Sequence, residues 1–332
     1  MAPPTSADGA VAVSIGSFPA TLEAARARRL AELGALAVMV AWSFNFVTVK
    51  AAISAVPPVG FAFVRFLLAG LLLLAITRWR EGSVGLPRRV AIRVGLLGGL
   101  GFGLYQLLWA TALSLTTAGT SSLLVATTPI FTLLAAVATR AERGHRLRYI
   151  GAIVAFAGGA LVAAGSGLRV DGAGLGDVMT IGAAACWGWY LALSAPLLAT
   201  YSPLRLTTWA ILAGTAVLAV PGLVELATGD LSAVGPRHIA AILYSGIVAG
   251  GLANVVLFRA IALLGPSRIA NLQFLVPALT IVLAAILLGE PILAVQAAGL
   301  AVIVAGIIVA RRAPSGTAAG RAGPEPPPLI EA

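Results

Sequence analysis

Between Ala31 and Ala310 the chain is a succession of apolar stretches of close to twenty residues, separated by short polar breaks. A helix rising 1.5 Å per residue needs about 20 apolar residues to cross a ~30 Å hydrocarbon core, so each stretch is long enough to span a bilayer. Ten spans are expected, at 31–53, 58–77, 90–112, 118–139, 147–165, 174–197, 203–225, 238–260, 267–288 and 293–310. The breaks carry turn punctuation, as at Pro57-Pro58, Glu81-Gly82-Ser83, Ser202-Pro203 and Gly265-Pro266. Composition agrees: 59% of residues are hydrophobic and 10% are charged, against roughly 25% charged in soluble domains. The expected fold class is an all-α polytopic membrane protein.

The net charge of +10 does not indicate nucleic acid, because the basic residues lie in the breaks and do not form one soluble surface. If both termini are cytoplasmic, eighteen of the twenty-two basic residues fall on the cytoplasmic side, the bias expected of loops that stay inside. Lys50, Arg169 and Arg237 lie near the opposite ends, and Arg65 falls within the second span. Cys186 has no cysteine partner, and two distant histidines complete no metal-ligand spacing, so neither a metal nor another cofactor is expected. Residues 1–30 are expected to be a disordered cytoplasmic tail without the positive start of a signal peptide. Residues 312–332, with Pro324, Pro326, Pro327 and Pro328, are expected to be a second such tail.

An internal repeat organises the rest. A shift of 148 residues places Ala112 on Ala260, Pro129 on Pro277, Thr132 on Thr280, Glu142 on Glu290, Gly151 on Gly299 and Gly158 on Gly306. Each unit, 31–165 and 174–311, holds five spans. Five is odd, so the second unit threads the bilayer in the opposite sense to the first, the inverted-repeat plan of many secondary transporters.

Several residue groups carry a resemblance. They are Trp42-Ser43-Phe44-Asn45-Phe46-Val47 with Lys50, Arg65-Phe66, Pro129-Ile130-Phe131-Thr132, Trp187-Gly188-Trp189-Tyr190 after Gly176-Asp177, and Pro277 followed by Gly289-Glu290. In order, spacing and duplication the chain resembles the drug/metabolite transporter superfamily, specifically its EamA-type ten-helix members, over residues 31–311. Two departures stand out: Ala141-Glu142-Arg143 replaces a Gly-Glu motif, and Ser194-Ala195-Pro196 stands where a basic residue is expected. The resemblance implies alternating access at a pocket lined mainly by the first four helices of each half, with the fifth and tenth peripheral. It leans toward export.

The residues themselves suggest where that pocket lies. Trp42 and Asn45 share a helix face, as do Trp187 and Tyr190 at the related place in the second half. Polar groups at bilayer depth need a partner or a water-filled cavity. Tyr105, Gln106, Asn254 and Gln273 are the further candidates for substrate binding, with Trp109 and Asn271 beside them. For each amide the alternative is a hydrogen bond that joins two helices, and for the aromatics it is space filling. Pro129 and Pro277 are candidate hinges, or else static kinks. Lys50, Arg65 and Glu290 are expected to form an electropositive outer vestibule for an anionic or zwitterionic cargo; the alternative is that Lys50 snorkels and Arg65 pairs with Glu290 or with helix carbonyls. Gly98-Gly99-Leu100-Gly101-Phe102-Gly103 has no strand before it, so a phosphate loop is excluded.

The expected function is a secondary transporter of a small polar, amino-acid-like metabolite. It would sit in a bacterial-type inner membrane with both termini cytoplasmic, as a monomer or homodimer whose partners are the substrate and the bilayer. A channel or helical scaffold is the alternative that needs no inverted duplication. A membrane enzyme acting on lipid-linked substrates would need a cluster of acids, histidines or cysteines, and His145, His238 and Cys186 lie far apart in the predicted topology. The chain is therefore read as a transporter and not an enzyme.

Overall fold

The computed structural model describes residues 18–139, 145–165, 173–198, 200–264, 269, 272–273 and 275–312. Arg140, Glu142, Arg143, Arg169, Arg268 and Asn271 lie outside the described residues, as do the outer parts of both expected tails. All regular structure among the described residues is helical, and ten spans follow one another in the expected order. Among the described residues seven helices are long and apolar enough to cross a membrane; the remaining spans are the helices Arg146–Gly165, Leu275–Leu288 and Ala294–Arg311. Leu96, Val220 and Ile286 are each more than 70% exposed, an arrangement that suits side chains solvated by lipid tails and would aggregate in water.

The first helix runs from Phe18 to Ala52, so residues 18–30, expected within a disordered tail, are helical. Apolarity marks where hydrocarbon begins, not where a helix begins. The stretch Leu22–Leu30 is built of Ala, Arg, Glu and Leu, all strong helix formers, and it carries the helix beyond the bilayer with Arg26, Arg28 and Arg29 exposed.

Four spans are irregular, in two symmetric pairs. The third comprises Arg88–Gly98, a π-helical Gly99–Leu104 and Tyr105–Leu115. The eighth comprises Pro236–Leu243, a π-helical Tyr244–Leu252 and Ala253–Leu264. Both π segments end at the same repeat position, Leu104 and Leu252, 148 residues apart. Glycines in and beside them let backbones meet: a Cβ added at Gly98 would lie 2.3 Å from the Ala210 carbonyl oxygen, and one at Gly246 would lie 2.5 Å from that of Arg65. The fourth span breaks at Ala126–Thr127 into Ala118–Val125 and Thr128–Ala138. The ninth span has its turn at Gln273, immediately before Leu275–Leu288.

The two halves interdigitate. The first span packs on the eighth and ninth, and the sixth packs on the third and fourth, so each half inserts its leading helix into the other. The second span (Pro58–Glu81) and the seventh (Pro203–Thr228) are paired and joined at both ends by carboxylates. Glu225 Oε2 accepts from the N–H groups of Val59 (2.8 Å) and Gly60 (3.0 Å), covering donors that the first turn of a helix leaves free. At the other end Glu81 accepts from the Ser202 hydroxyl and from Arg205 Nε (3.0 Å) and Nη2 (2.9 Å). The fifth and tenth spans touch through Gly151 against Gly306 and Gly158 against Gly299. A twofold exchange of the repeat positions converts either contact into the other, which ties the sequence repeat to the packing.

Candidate functional site

A cavity of about 110 Å³ lies where the halves meet, lined by Trp42, Asn45, Phe46, Arg65, Phe66, Phe102, Tyr105, Gln106 and Trp109 from the first three spans. The broken fourth span adds Ser122, Val125, Ala126, Thr128 and Pro129; the second half adds Trp187, Ala249, Gly250, Asn254, Gln273, Val276 and Pro277. Both π segments and both interrupted spans therefore reach the cavity. Discontinuous helices are tolerated at bilayer depth where they line a cavity, because polar groups there find partners other than lipid.

Arg65 dominates the site. It is 3% exposed, and among the described residues it has no carboxylate partner. Its Nη1 donates to Ser245 Oγ and its Nη2 to Gln106 Oε1, both at 2.5 Å; the Ser245 hydroxyl donates onward to Asn45 Oδ1 at 2.6 Å. The guanidinium carbon lies 4.7 Å from the Phe66 ring centre and 5.3 Å from that of Trp109, so π faces take up part of its charge. Four buried side-chain atoms among the described residues have no hydrogen-bond partner: Arg65 Nε, Trp109 Nε1, Asn254 Oδ1 and Ser121 Oγ. The first three belong to residues that line the cavity, two donors from the first half and one acceptor from the second, and each of these atoms is itself buried in the cavity wall.

An aromatic wall completes it. Tyr105 stacks with Trp109 (6.4 Å between centres, 9° between planes) and lies 5.5 Å from Trp187. Phe102 meets Phe66, Trp187 and Tyr190 edge-on at 5.3–5.7 Å. Trp42 Nε1 donates to the Ala249 carbonyl at 3.0 Å, a bond between the halves onto the π segment of the eighth span.

Of the fifteen residues singled out from sequence, eleven line this cavity: Trp42, Asn45, Arg65, Tyr105, Gln106, Trp109, Pro129, Trp187, Asn254, Gln273 and Pro277. Tyr190 does not. It is 3% exposed and packs behind Trp187, where a Cβ on Gly101 would lie 2.3 Å from its ring, and it lines a separate small cavity with Ser194 and Phe258. Of the three residues expected to form the outer vestibule, Arg65 stands apart from Lys50 and Glu290, which flank one turn. Arg65 points to Ser245 and Gln106, whereas Lys50 Nζ donates to the Leu113 and Thr116 carbonyls at 2.7 Å. Glu290 accepts from the N–H groups of Ala118 (2.9 Å) and Gly119 (3.1 Å). Lys50 thus neutralises the end of the third span and Glu290 the start of the fourth, fastening the turn between them from both halves. The prolines stand at interruptions and not in the middle of continuous helices: Pro129 opens Thr128–Ala138, where a missing N–H costs little, and Pro277 is in the first turn of Leu275–Leu288. Phe66, Phe102, Ser122, Thr128 and Ser245 were missed. The glycine-rich runs around Phe102 and Ser245 were the available signal.

The EamA-like transporter family matches the chain twice, over residues 29–164 and 174–312. Among curated relatives, a probable terminal-alkyne amino-acid exporter of Streptantibioticus cattleyicolor is 29% identical over 82% of this chain and 91% of its own. An uncharacterized transporter of Archaeoglobus fulgidus is 28% identical over 76% of this chain and 87% of its own. A probable amino-acid metabolite efflux pump of Salmonella typhimurium is 26% identical over 83% and 92%. A solved crystal structure with 21% identity shares the fold, with a TM-score of 0.59 over 84% of this chain and 96% of that one.

Proposed function

The chain belongs to the EamA-like transporter family, and from that premise we propose that it exports a small, carboxylate-bearing, amino-acid-like metabolite by alternating access of its two halves to the central cavity. The observation that carries this reading is Arg65, a buried guanidinium that lines the cavity with no acid beside it among the described residues. A charge held out of water is costly unless paired. Two neutral hydrogen bonds and two ring faces offset part of that cost and leave Nε without a partner among the described residues, so a carboxylate on the cargo would complete the pairing of the guanidinium. Two relatives, a probable terminal-alkyne amino-acid exporter and a probable amino-acid metabolite efflux pump, support both the cargo class and the direction. The decisive experiment compares metabolites in medium and cytoplasm of cells with and without the gene, then measures uptake of the affected compounds into proteoliposomes. If no carboxylate-bearing compound changes between the two strains, the reading is wrong.

The proposed orientation puts both termini and the Glu81–Gly82–Ser83 loop in the cytoplasm of a bacterial-type cell. In a Cys186→Ser background, Ser83→Cys is expected to resist an impermeant thiol reagent applied to intact cells, whereas Ser232→Cys is expected to react. The opposite labelling would invert the topology.

Pro129 and Pro277 are proposed as the points where the fourth and ninth spans flex during exchange. Alanine at either position is expected to slow turnover several-fold with little change in cargo affinity, because the effect falls on interconversion and not on pocket contacts. Stopped-flow transport at the wild-type rate in both variants would reduce the prolines to static features.

A further inference from the structure

We propose that Asn254 is the residue by which the cavity requires a protonated nitrogen on its cargo. The inference rests on the carboxylate reading of Arg65 and extends it to the opposite side of the same cavity. Gln106 and Asn254 are equivalent by the 148-residue repeat. Each is the second residue of the helix that follows a π segment, in Tyr105–Leu115 and Ala253–Leu264. Their surroundings differ in one respect. Gln106 Oε1 accepts from the guanidinium of Arg65 at 2.5 Å. Asn254 Oδ1 is buried and accepts from no donor among the described residues.

The reason lies in the second and seventh spans. There the sequence match runs Leu68-Ala69-Gly70 onto Leu212-Ala213-Gly214 and Glu81 onto Glu225, a shift of 144 residues. The same shift sets Trp209 opposite Arg65. Trp209 Nε1 donates instead to the Val84 carbonyl at 2.6 Å, outside the cavity lining. The second half therefore retains the acceptor amide and lacks the cation that satisfies it in the first. The orientation of the amide is fixed as well. Asn254 Nδ2 donates to the Gly250 carbonyl at 2.7 Å, and a flipped amide would set two oxygens against each other. The spare oxygen is therefore held in place by the wall of the cavity.

A cargo with a carboxylate and an ammonium group fits both sides at once. Its carboxylate takes the free Nε–H of Arg65 and the free Nε1–H of Trp109 in the first half; its ammonium donates to Asn254 Oδ1 in the second. Such a molecule bridges the two halves, whereas the same acid without nitrogen leaves the asparagine oxygen unpaired. Sites with a buried polar group of this kind discriminate by that unpaired cost.

The test uses the purified full-length protein and two probe pairs that differ only by the nitrogen: L-valine with isovalerate, and L-phenylalanine with phenylpropionate. Binding is followed by quenching of the cavity tryptophans. The wild type is expected to favour the amino acid of a pair about tenfold or more. Asn254→Leu should bring the two within about twofold by weakening the amino acid alone, and Asn254→Asp should restore the preference. Retained binding of the deaminated acid shows that the leucine variant is folded. An unchanged preference in Asn254→Leu, equal binding of both members by the wild type, or no binding of either pair would each overturn the proposal. If Arg65→Gln binds both probes normally while Asn254→Leu still erases the preference, the carboxylate reading falls and the role of Asn254 stands.

Discussion

Arg65→Gln is expected to lower transport of the cargo about a hundredfold, while folded protein accumulates in the membrane at near wild-type levels. A charge-assisted hydrogen bond to a carboxylate is worth roughly 1.5–3 kcal/mol, which alone is a factor of 10 to 100. The cargo also loses the net positive charge that attracts it into a site sheltered from screening. Stability should suffer less. Glutamine ends two bonds short of the present Nη positions and weakens the contacts to Ser245 Oγ and Gln106 Oε1, but replacing a buried unpaired charge with a neutral group removes a desolvation cost that offsets this loss. Arg65→Lys retains charge without the planar fork and should fall between the two. Arg237→Gln, which lies outside the cavity lining, should transport as the wild type does. Lipophilic cations are expected to be poor substrates of the wild type, since no carboxylate lines the cavity among the described residues. Counterflow in proteoliposomes measures all of these. Wild-type transport by Arg65→Gln, or efficient efflux of tetraphenylphosphonium by the unaltered protein, would remove the guanidinium from the site.

The legible parts of this molecule are those that hydrocarbon enforces. Ten spans can be read because each must be apolar over the thickness of a bilayer, and the inverted repeat can be read because Pro129, Thr132 and Glu142 recur in one register with Pro277, Thr280 and Glu290. What lies between spans in space is less legible. Trp187 and Tyr190 share a face by spacing, yet the first lines the cavity and the second packs against Gly101 behind it. Helical spacing gives direction around an axis and says nothing of how far a neighbouring helix leans in.

The charges show the same limit. Lys50, Arg65 and Glu290 fall in a common outer zone when depth is counted along the chain, and that count suggests one vestibule. Each finds a different partner: backbone carbonyls for Lys50, side-chain oxygens for Arg65 and backbone N–H groups for Glu290. Two of those partners exist because the chain turns between Leu115 and Ala118 and exposes the ends of two helices there. That break is the one the sequence marks least. The π segments were equally hidden, for glycine runs announce close approach without specifying a change of helical pitch.

Leucine at Gly306 is expected to destabilise the protein by about 2–3 kcal/mol, within the range for forcing bulk into a filled interface, and to remove most of the folded material from a membrane extract. A Cβ at this position would lie 2.5 Å from the Ala155 nitrogen and 2.6 Å from the Gly151 oxygen. These are backbone atoms, so no side chain can swing aside, and the fifth and tenth spans must separate along their length. Lipid tails are as apolar as leucine, which leaves close packing and weak backbone contacts to hold such a pair together. Gly158→Leu should cost a similar amount, because its Cβ would lie 2.7 Å from the Ile303 nitrogen and 2.8 Å from the Gly299 oxygen, the twofold counterpart of the first contact. Gly95→Leu provides the control: nothing lies within 4 Å of a Cβ placed there, and helix propensity favours the change. Thermal unfolding monitored by size exclusion in detergent compares the three. A Gly306→Leu protein that melts with the wild type would contradict the packing, and a large loss at Gly306 with none at Gly158 would contradict the twofold relation between the halves.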